Sequence, residues 1–392
     1  MSIVIFGDIF TFPEGNASTN RVHTYAKGFI ENGIKVHVIS FESLYNVDGN
    51  GEINGISFYL PFGQVNRSKY FVVRQYRKLL KYLNTIRLLN QINKYERIIA
   101  INICTNLLLT HLFAWVLAKL YNSKLIIESN EHPLRYYQNG ALKKKLGVLK
   151  FHIESNLCDG IFCISHYLMD FYKSKGVDNR KLFLVPSTVD PARFSKVSER
   201  PIIQPYIGYF GGLTFKRDNV DILIRAFARI SSVHLEMQLV LGGFCSESEK
   251  KQLLDLIAEL NIQSKVQLLG YLKREEIITY ITNAYILVMV RSNDLQSKAS
   301  YPSKLTEFLA CSVPVISVNV GEIPFYLSDG VNAFLVEPEN TDALAYKLDY
   351  VINNYDQAKK VSQKGKELTE TIFNYSYQAK RMIVFINSLS SY

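Results

Sequence analysis

The sequence predicts an α/β protein of two doubly wound, parallel-sheet, Rossmann-like domains, and three observations lead to that reading. The chain has 392 residues, more than one hydrophobic core usually supports. Short, nearly continuous apolar runs alternate with amphipathic stretches along almost all of it, the pattern of strands covered on both faces by helices. The alternation occurs twice, on either side of a polar stretch at 190–204 with Pro191, Pro201 and the adjoining Pro205, which reads as a linker and implies two sheets.

In order, the strands of the first half are expected at 2–6, 35–40, 96–101, 124–128, 160–165 and 181–186, with helical stretches at 16–32 and 142–157. Those of the second half are expected at 206–210, 236–241, 266–270, 285–290 and 313–318, with helical stretches at 220–230 and 248–260. The predicted domains are 1–195 and 196–375. A helix over 376–392 is expected to pack back on the first domain. There is no internal repeat and no low-complexity tract.

Composition sets further bounds. With 48% apolar and 20% charged residues, this is an ordinary globular chain. Cys104, Cys158, Cys163, Cys245 and Cys311 are odd in number and follow no framework, so they read as buried free thiols of a reducing compartment. The opening Met1-Ser2-Ile3-Val4 has no basic region and reads as a strand rather than a signal peptide. The apolar run 107–121, about 15 residues with a lysine and a histidine, is too short to span a bilayer and reads as a buried helix. The net charge of +10 is uneven: residues 1–200 hold 26 Lys and Arg against 15 Asp and Glu, the remainder 19 against 20. The basic character therefore belongs to the first half and points to a partner of that half.

Ligands of doubly wound sheets bind at the carboxyl ends of the strands, so the loops that follow strands are the candidates. Gly15, followed by Asn16, Ser18 and Thr19, suits a loop entering a helix whose free amides bind an anion, or an ordinary strand-to-helix turn. It is neither a Walker loop nor GxGxxG. Glu128, Glu131 and His132 gather at another strand end, suited to polar recognition or proton handling, or to a capped loop. Gly211 and Gly212 let a ligand approach the backbone, while Lys216 and Arg217 supply charge for phosphates. Tyr271 and Leu272, with Gly242 and Gly243, offer a place for a flat base. In 301–307, Pro302 suits a first helical turn, capped by Ser300 or Ser303. The amides around Ser303 and Lys304 can hold a diphosphate, and Glu307, one turn on, can accept both hydroxyls of a ribose. Gly321, Glu322 and Ile323 form a further glycine loop. No Asp-x-Asp triplet occurs.

Together, Pro302-Ser303-Lys304-Leu305-Thr306-Glu307, Val313-Pro314-Val315-Ile316, Gly321-Glu322-Ile323-Pro324, Asp329-Gly330 and Val185-Pro186-Ser187-Thr188 resemble the family 4 glycosyltransferases, over nearly the whole chain. The resemblance implies the GT-B fold, two Rossmann-like domains facing across a cleft, and metal-independent transfer of a sugar from a nucleoside diphosphate donor with retention at the anomeric carbon. It implies UDP-sugar ahead of GDP-sugar and no separate cofactor. Glu307 matches the family's ribose-binding glutamate and Lys216, with Arg217, its diphosphate cation. Gly15 matches the loop facing donor phosphate and acceptor, and His132 the histidine beside the transferred sugar. Two positions depart from the pattern: Ala299 replaces the first glutamate of the paired motif, and Gly212 stands where many members carry arginine.

Residues 64–95 hold eight Lys and Arg and no acid, with Tyr70, Phe71, Tyr76 and Tyr82 interleaved. With Lys143-Lys144-Lys145 they suit an anionic bilayer surface or a solvated helix face. The expectation is a cytoplasmic protein, peripheral on the inner membrane, with a glycan or lipid-linked oligosaccharide acceptor in cell-surface polysaccharide synthesis. No nucleic-acid motif is present. A nucleotide-sugar epimerase of the same fold, or a binding relative without transferase activity, are the alternatives.

Overall fold

The computed structural model describes residues 1–41, 49–61, 68–137, 140–195 and 200–389. Residues 64–67 of the basic segment, with Arg67, and 196–199 of the expected linker lie outside them. The chain divides into two compact units, Met1–Thr188 with Tyr375–Tyr392, and Val189–Asn374.

The first unit holds strands β1 (Ser2–Gly7), β2 (Lys35–Ser40), β3 (Asn50–Ile53), β4 (Ile56–Tyr59), β5 (Ile98–Cys104), β6 (Lys124–Ser129), β7 (Gly160–Cys163) and β8 (Leu182–Leu184). Their order is β3-β4-β2-β1-β5-β6-β7-β8, parallel except for the antiparallel β3–β4 pair. That hairpin turns on Asn54 and Gly55, both at positive φ, as a tight Asn-Gly turn requires; it is an addition to the strands expected from the sequence. Helices α1 (Ala17–Glu31), α2 (Phe71–Tyr95), α3 (Leu108–Leu120), α4 (Ala141–Leu157) and α5 (His166–Ser174) supply the crossovers that parallel strands need. β1 is buried throughout, which is why its side chains show no alternation. β5 starts later than expected because Glu96 ends α2 and turns its carboxylate to Lys35 and His37.

The second unit is a parallel sheet in the order β11-β10-β9-β12-β13-β14. Its strands are β9 (Tyr206–Phe210), β10 (Gln238–Gly242), β11 (Val266–Gly270), β12 (Ile286–Met289), β13 (Val315–Val318) and β14 (Phe334–Val336); β14, only three residues long, adds an edge that periodicity did not show. The helices are α6 (Phe215–Asp218), α7 (Val220–Ile230), α8 (Glu247–Glu259), α9 (Arg274–Asn283), α10 (Leu295–Ala299), α11 (Ser303–Ala310), α12 (Thr341–Asn353) and α13 (Tyr355–Glu370).

The first crossing between units falls at Thr188–Val189, ahead of the linker read from prolines. Val189 N–H donates to Phe373 O at 2.9 Å, and Asp190 caps the turn Pro191–Phe194, so this stretch folds with the second unit. The last helix, α14 (Tyr375–Ser388), belongs to the first unit. Gly28 of α1 lies against its backbone, where a Cβ would stand 2.6 Å from Tyr375 O. Asn32 donates to Ser376 O at 3.1 Å, and Phe385 stacks on Phe183.

Candidate functional site

In the second unit, the turn after β9 is built to bring backbone close. Gly211 N–H bonds Gly242 O at 2.9 Å. Gly243, at φ +147°, sits so near that a Cβ would meet Gly211 O at 1.7 Å, so only glycine fits there. Thr214 caps α6 by accepting from Arg217 N and donates to Asp218 Oδ2 at 2.7 Å. The same Asp218 oxygen would lie 2.5 Å from a Cβ at Gly212, which accounts for glycine at that position. Lys216 and Arg217 project exposed from the turn.

α11 begins at Ser303, with Pro302 in the cap position and no side-chain cap. Neither serine offered as a cap serves as one: Ser303 is the first helical residue, and the Ser300 hydroxyl donates to Gln296 O at 2.6 Å and receives Arg291 Nη2 at 3.1 Å. One turn into α11, Glu307 is half-buried. Burial pushes its carboxyl pKa up, opposed by Arg193, Lys304 and Arg274. Lys304 is itself lowered by burial and held up by Glu307 and Asp218, so it lies between α11 and the α6 turn. Burial and the neighbouring Arg193 bring Arg274 down to about 10, still fully charged at neutral pH. Arg193, Lys304 and Arg274 thus act on Glu307, while Asp218, Asp190 and Glu275 act on them in turn, a dense cluster of both signs whose cations can turn to a bound diphosphate. Arg193 and Arg274 escaped the sequence reading because nothing local ties them to Glu307.

Other candidates are placed unequally. Tyr271 is 69% exposed beyond the end of β11, and Leu272 packs near Gly242 at the end of β10. Gly321, at φ +60°, rests on Ser297 and Lys298, where a Cβ would meet Ser297 O at 2.4 Å. Glu322 is 1% exposed and receives the Tyr326 hydroxyl at 3.3 Å. Ile323 buries its side chain completely and spends its N–H on Val320 O. Neither side chain faces solvent, because both anchor the turn to the core; of the three, Gly321 keeps accessible backbone. Arg291, unremarked in the sequence although it too follows a strand, is largely buried and bonds Ser297 and Ser300.

In the first unit, Gly15 is required by space: a Cβ there would meet the Thr11 and Thr19 hydroxyls at 2.2 and 2.3 Å. Asn16 caps α1, accepting from Ser18 N at 2.9 Å and Thr19 N at 3.3 Å, so those amides already have an acceptor. His132 is 8% exposed, with Phe171 4.5 Å from its ring. Its Nδ1 accepts from Leu134 N at 3.2 Å, which places the proton of the neutral ring on Nε2. Burial, then Lys175, lower its pKa. Glu128 is committed to structure. It accepts Arg21 Nε at 2.6 Å and the Tyr25 hydroxyl at 3.2 Å, while Arg21 also binds Val185 O and Pro186 O.

Among the described residues no group of three His, Cys, Asp or Glu side chains could hold a metal ion, and no helix is long and apolar enough to cross a membrane. The first unit does expose apolar stripes. Val72, Tyr76, Leu79 and Leu83 lie along one face of α2, each more than half exposed, and Leu142, Leu146 and Leu149 along α4. Between them α3, which packs on both, exposes Leu109, Val116 and Leu120.

Two family models match the chain: Glycosyltransferase Family 4 over residues 18–193 and Glycosyl transferases group 1 over 193–368. An uncharacterized glycosyltransferase of Methanocaldococcus jannaschii is 24% identical over 251 residues, 64% of this chain and 62% of the relative. N-acetyl-alpha-D-glucosaminyl L-malate synthase of Bacillus anthracis is 24% identical over 234 residues, 56% of each. The chain thus matches little more than half the length of these curated relatives. Among solved structures, sucrose-phosphate synthase of Thermosynechococcus elongatus superposes with a TM-score of 0.76 at 17% identity, covering 99% of both chains. Anabaena HepE in complex with UDP-glucose gives 0.69 at 15%, covering 99% of this chain and all of that one. Likeness at such identity shows the fold, and the fold is GT-B.

Proposed function

The chain belongs to the family 4 glycosyltransferases, and from that premise we propose that it is an enzyme transferring a sugar from a nucleoside diphosphate donor to a glycan or lipid-linked acceptor. The observation that carries this is Glu307, one turn into an uncapped helix and ringed by Arg193, Lys304 and Arg274. A carboxylate in that place accepts the two ribose hydroxyls. The free amides of α11, with Lys216 and Arg217, take the diphosphate and stabilise the charge that develops as it leaves. Fixed cations perform that task with no metal ion in the step. Tyr271 and Leu272 flank the base, with UDP ahead of GDP, and Gly321 offers backbone to the sugar. Retention at the anomeric carbon follows the family. On the first unit, Gly15 and His132, whose Nε2 carries a proton to donate, serve donor sugar and acceptor.

Mixing the chain with a panel of nucleotide sugars, with and without a glycan-lipid acceptor, and measuring nucleoside diphosphate release tests the reading. Acceptor-dependent release is expected from one or a few donors. Interconversion of donors or release of free sugar without acceptor would favour an epimerase, and binding with no turnover a silent relative.

The first unit we assign to the inner face of an anionic membrane. The exposed stripes of α2, α3 and α4 are flanked by Arg74, Arg77, Lys78 and Lys143-Lys144-Lys145, the combination that lets apolar side chains enter a headgroup layer while cations meet its charge. A lipid-linked acceptor would be met there.

A further inference from the structure

We propose that Arg291 is a positioning residue for the donor diphosphate, holding in register three segments that the nucleotide needs; this rests on the nucleotide-sugar reading above. Arg291 stands just beyond β12, at the carboxyl end of a central strand. Its guanidinium donates from Nε to Ser297 Oγ and from Nη2 to Ser300 Oγ, both at 3.1 Å. One planar fork thereby holds the single turn of α10 and the residue that follows it. α10 leads directly into the first turn of α11, and Gly321 rests on it through Ser297 and Lys298. On the other side, Ser292 N–H donates to Arg217 O at 3.1 Å, tying the same stretch to the α6 turn. Arg291 also lines, with Asn219, Ile222, Glu337, Glu339 and Leu344, a narrow surface crevice. The two carboxylates there have other bonds, Glu337 to Asn319 Nδ2 and Glu339 to Asn293 N.

Stability alone does not explain this arginine. Nη1 is buried without a hydrogen-bond partner, and so is Asn219 Nδ2 beside the same crevice. An unpaired buried donor carries a desolvation cost that an apolar side chain would avoid. The two hydrogen bonds Arg291 makes are to neutral hydroxyls; the carboxylates whose charge it feels, Asp294 and Asp218, are engaged as the cap of α10 and by the Thr214 hydroxyl. Burial lowers its pKa only to about 10, so it stays charged at neutral pH. A buried cation is poorly screened, and its field reaches the face where Lys216, Arg217 and the α11 amides meet.

The test is titration calorimetry of the full chain with UDP and with UMP, or with GDP and GMP if the parent prefers guanine. Arg291→Met is expected to weaken diphosphate binding on the order of tenfold, about one charge-assisted contact, and to leave the monophosphate nearly unchanged. Arg291→Lys, which keeps the charge and loses the fork, should fall between. Ser297→Ala with Ser300→Ala should weaken the diphosphate in the same direction, and decides the question if Arg291→Met does not fold. Parent-like diphosphate affinity in a folded variant, or equal loss for mono- and diphosphate, overturns the inference. A parent chain that binds neither UDP nor GDP overturns the nucleotide reading beneath it.

Discussion

At the residue scale, Glu307 and Arg21 show two ways of placing a charge inside a fold. Glu307 is half-buried one turn into α11, within the field of Arg193, Lys304 and Arg274. Glu307→Gln keeps the shape and removes the charged acceptor. Hydrogen bonds to charged groups contribute about 1.5–3 kcal/mol each, so nucleotide affinity should drop by at least about tenfold with the melting temperature nearly unchanged. Undiminished affinity measured by thermal shift would count against the ribose assignment. Arg21, by contrast, is spent on Glu128 and two carbonyls. Arg21→Met leaves the Glu128 charge buried without its partner and should cost about 3–5 kcal/mol of stability in urea unfolding; a loss under 1 kcal/mol would mean the carboxylate finds another partner.

At the element scale, the two helix starts that resembled each other in sequence differ in structure. α11 has no side-chain cap, whereas Asn16 already caps α1, so α11 is the readier anion site. Helix packing also sets a pH response. His111, on α3, is 1% exposed, and burial, then Lys150 on α4, hold its pKa down to about 4. Its folded value lies below the unfolded one, so the unfolded chain takes up a proton that the fold refuses. The stability is fully present above pH about 6.5 and is lost as pH falls toward 4, by about 3 kcal/mol. Urea unfolding at pH 7.5, 5.5 and 4.5 should show this decline, and His111→Gln should flatten it; parallel curves would assign the acid loss to carboxylates.

At the scale of the whole molecule, charge and exposed apolar surface coincide on the first unit. Flotation with liposomes is expected to recover the chain with anionic vesicles and not with neutral ones. Leu79→Glu with Leu83→Glu, at exposed sites of α2, should abolish recovery without loss of fold. Equal recovery from both lipids would rule out the anionic surface. The doubly wound pattern, most strand positions and the helix start at 302–303 were legible in the chain, because burial on both faces writes itself as apolar runs and a helix start as Pro and Ser. The β3–β4 hairpin leaves only a short local signal, Asn54-Gly55, between strands of four residues each.

What the sequence determined by itself is the pair of parallel sheets, the family, and the places of Lys216, Arg217 and Glu307 in the turn after a strand and the first turn of a helix, since each rests on periodicity or on residues adjacent in the chain. Only tertiary structure decided that Glu322 and Ile323 turn inward, that Asp218 occupies the space beside Gly212, that the first crossing precedes the prolines, and that Arg193, Arg274 and Arg291 gather at the site. Those outcomes depend on which side chains meet across the sheet, and distance along the chain carries no trace of such meetings.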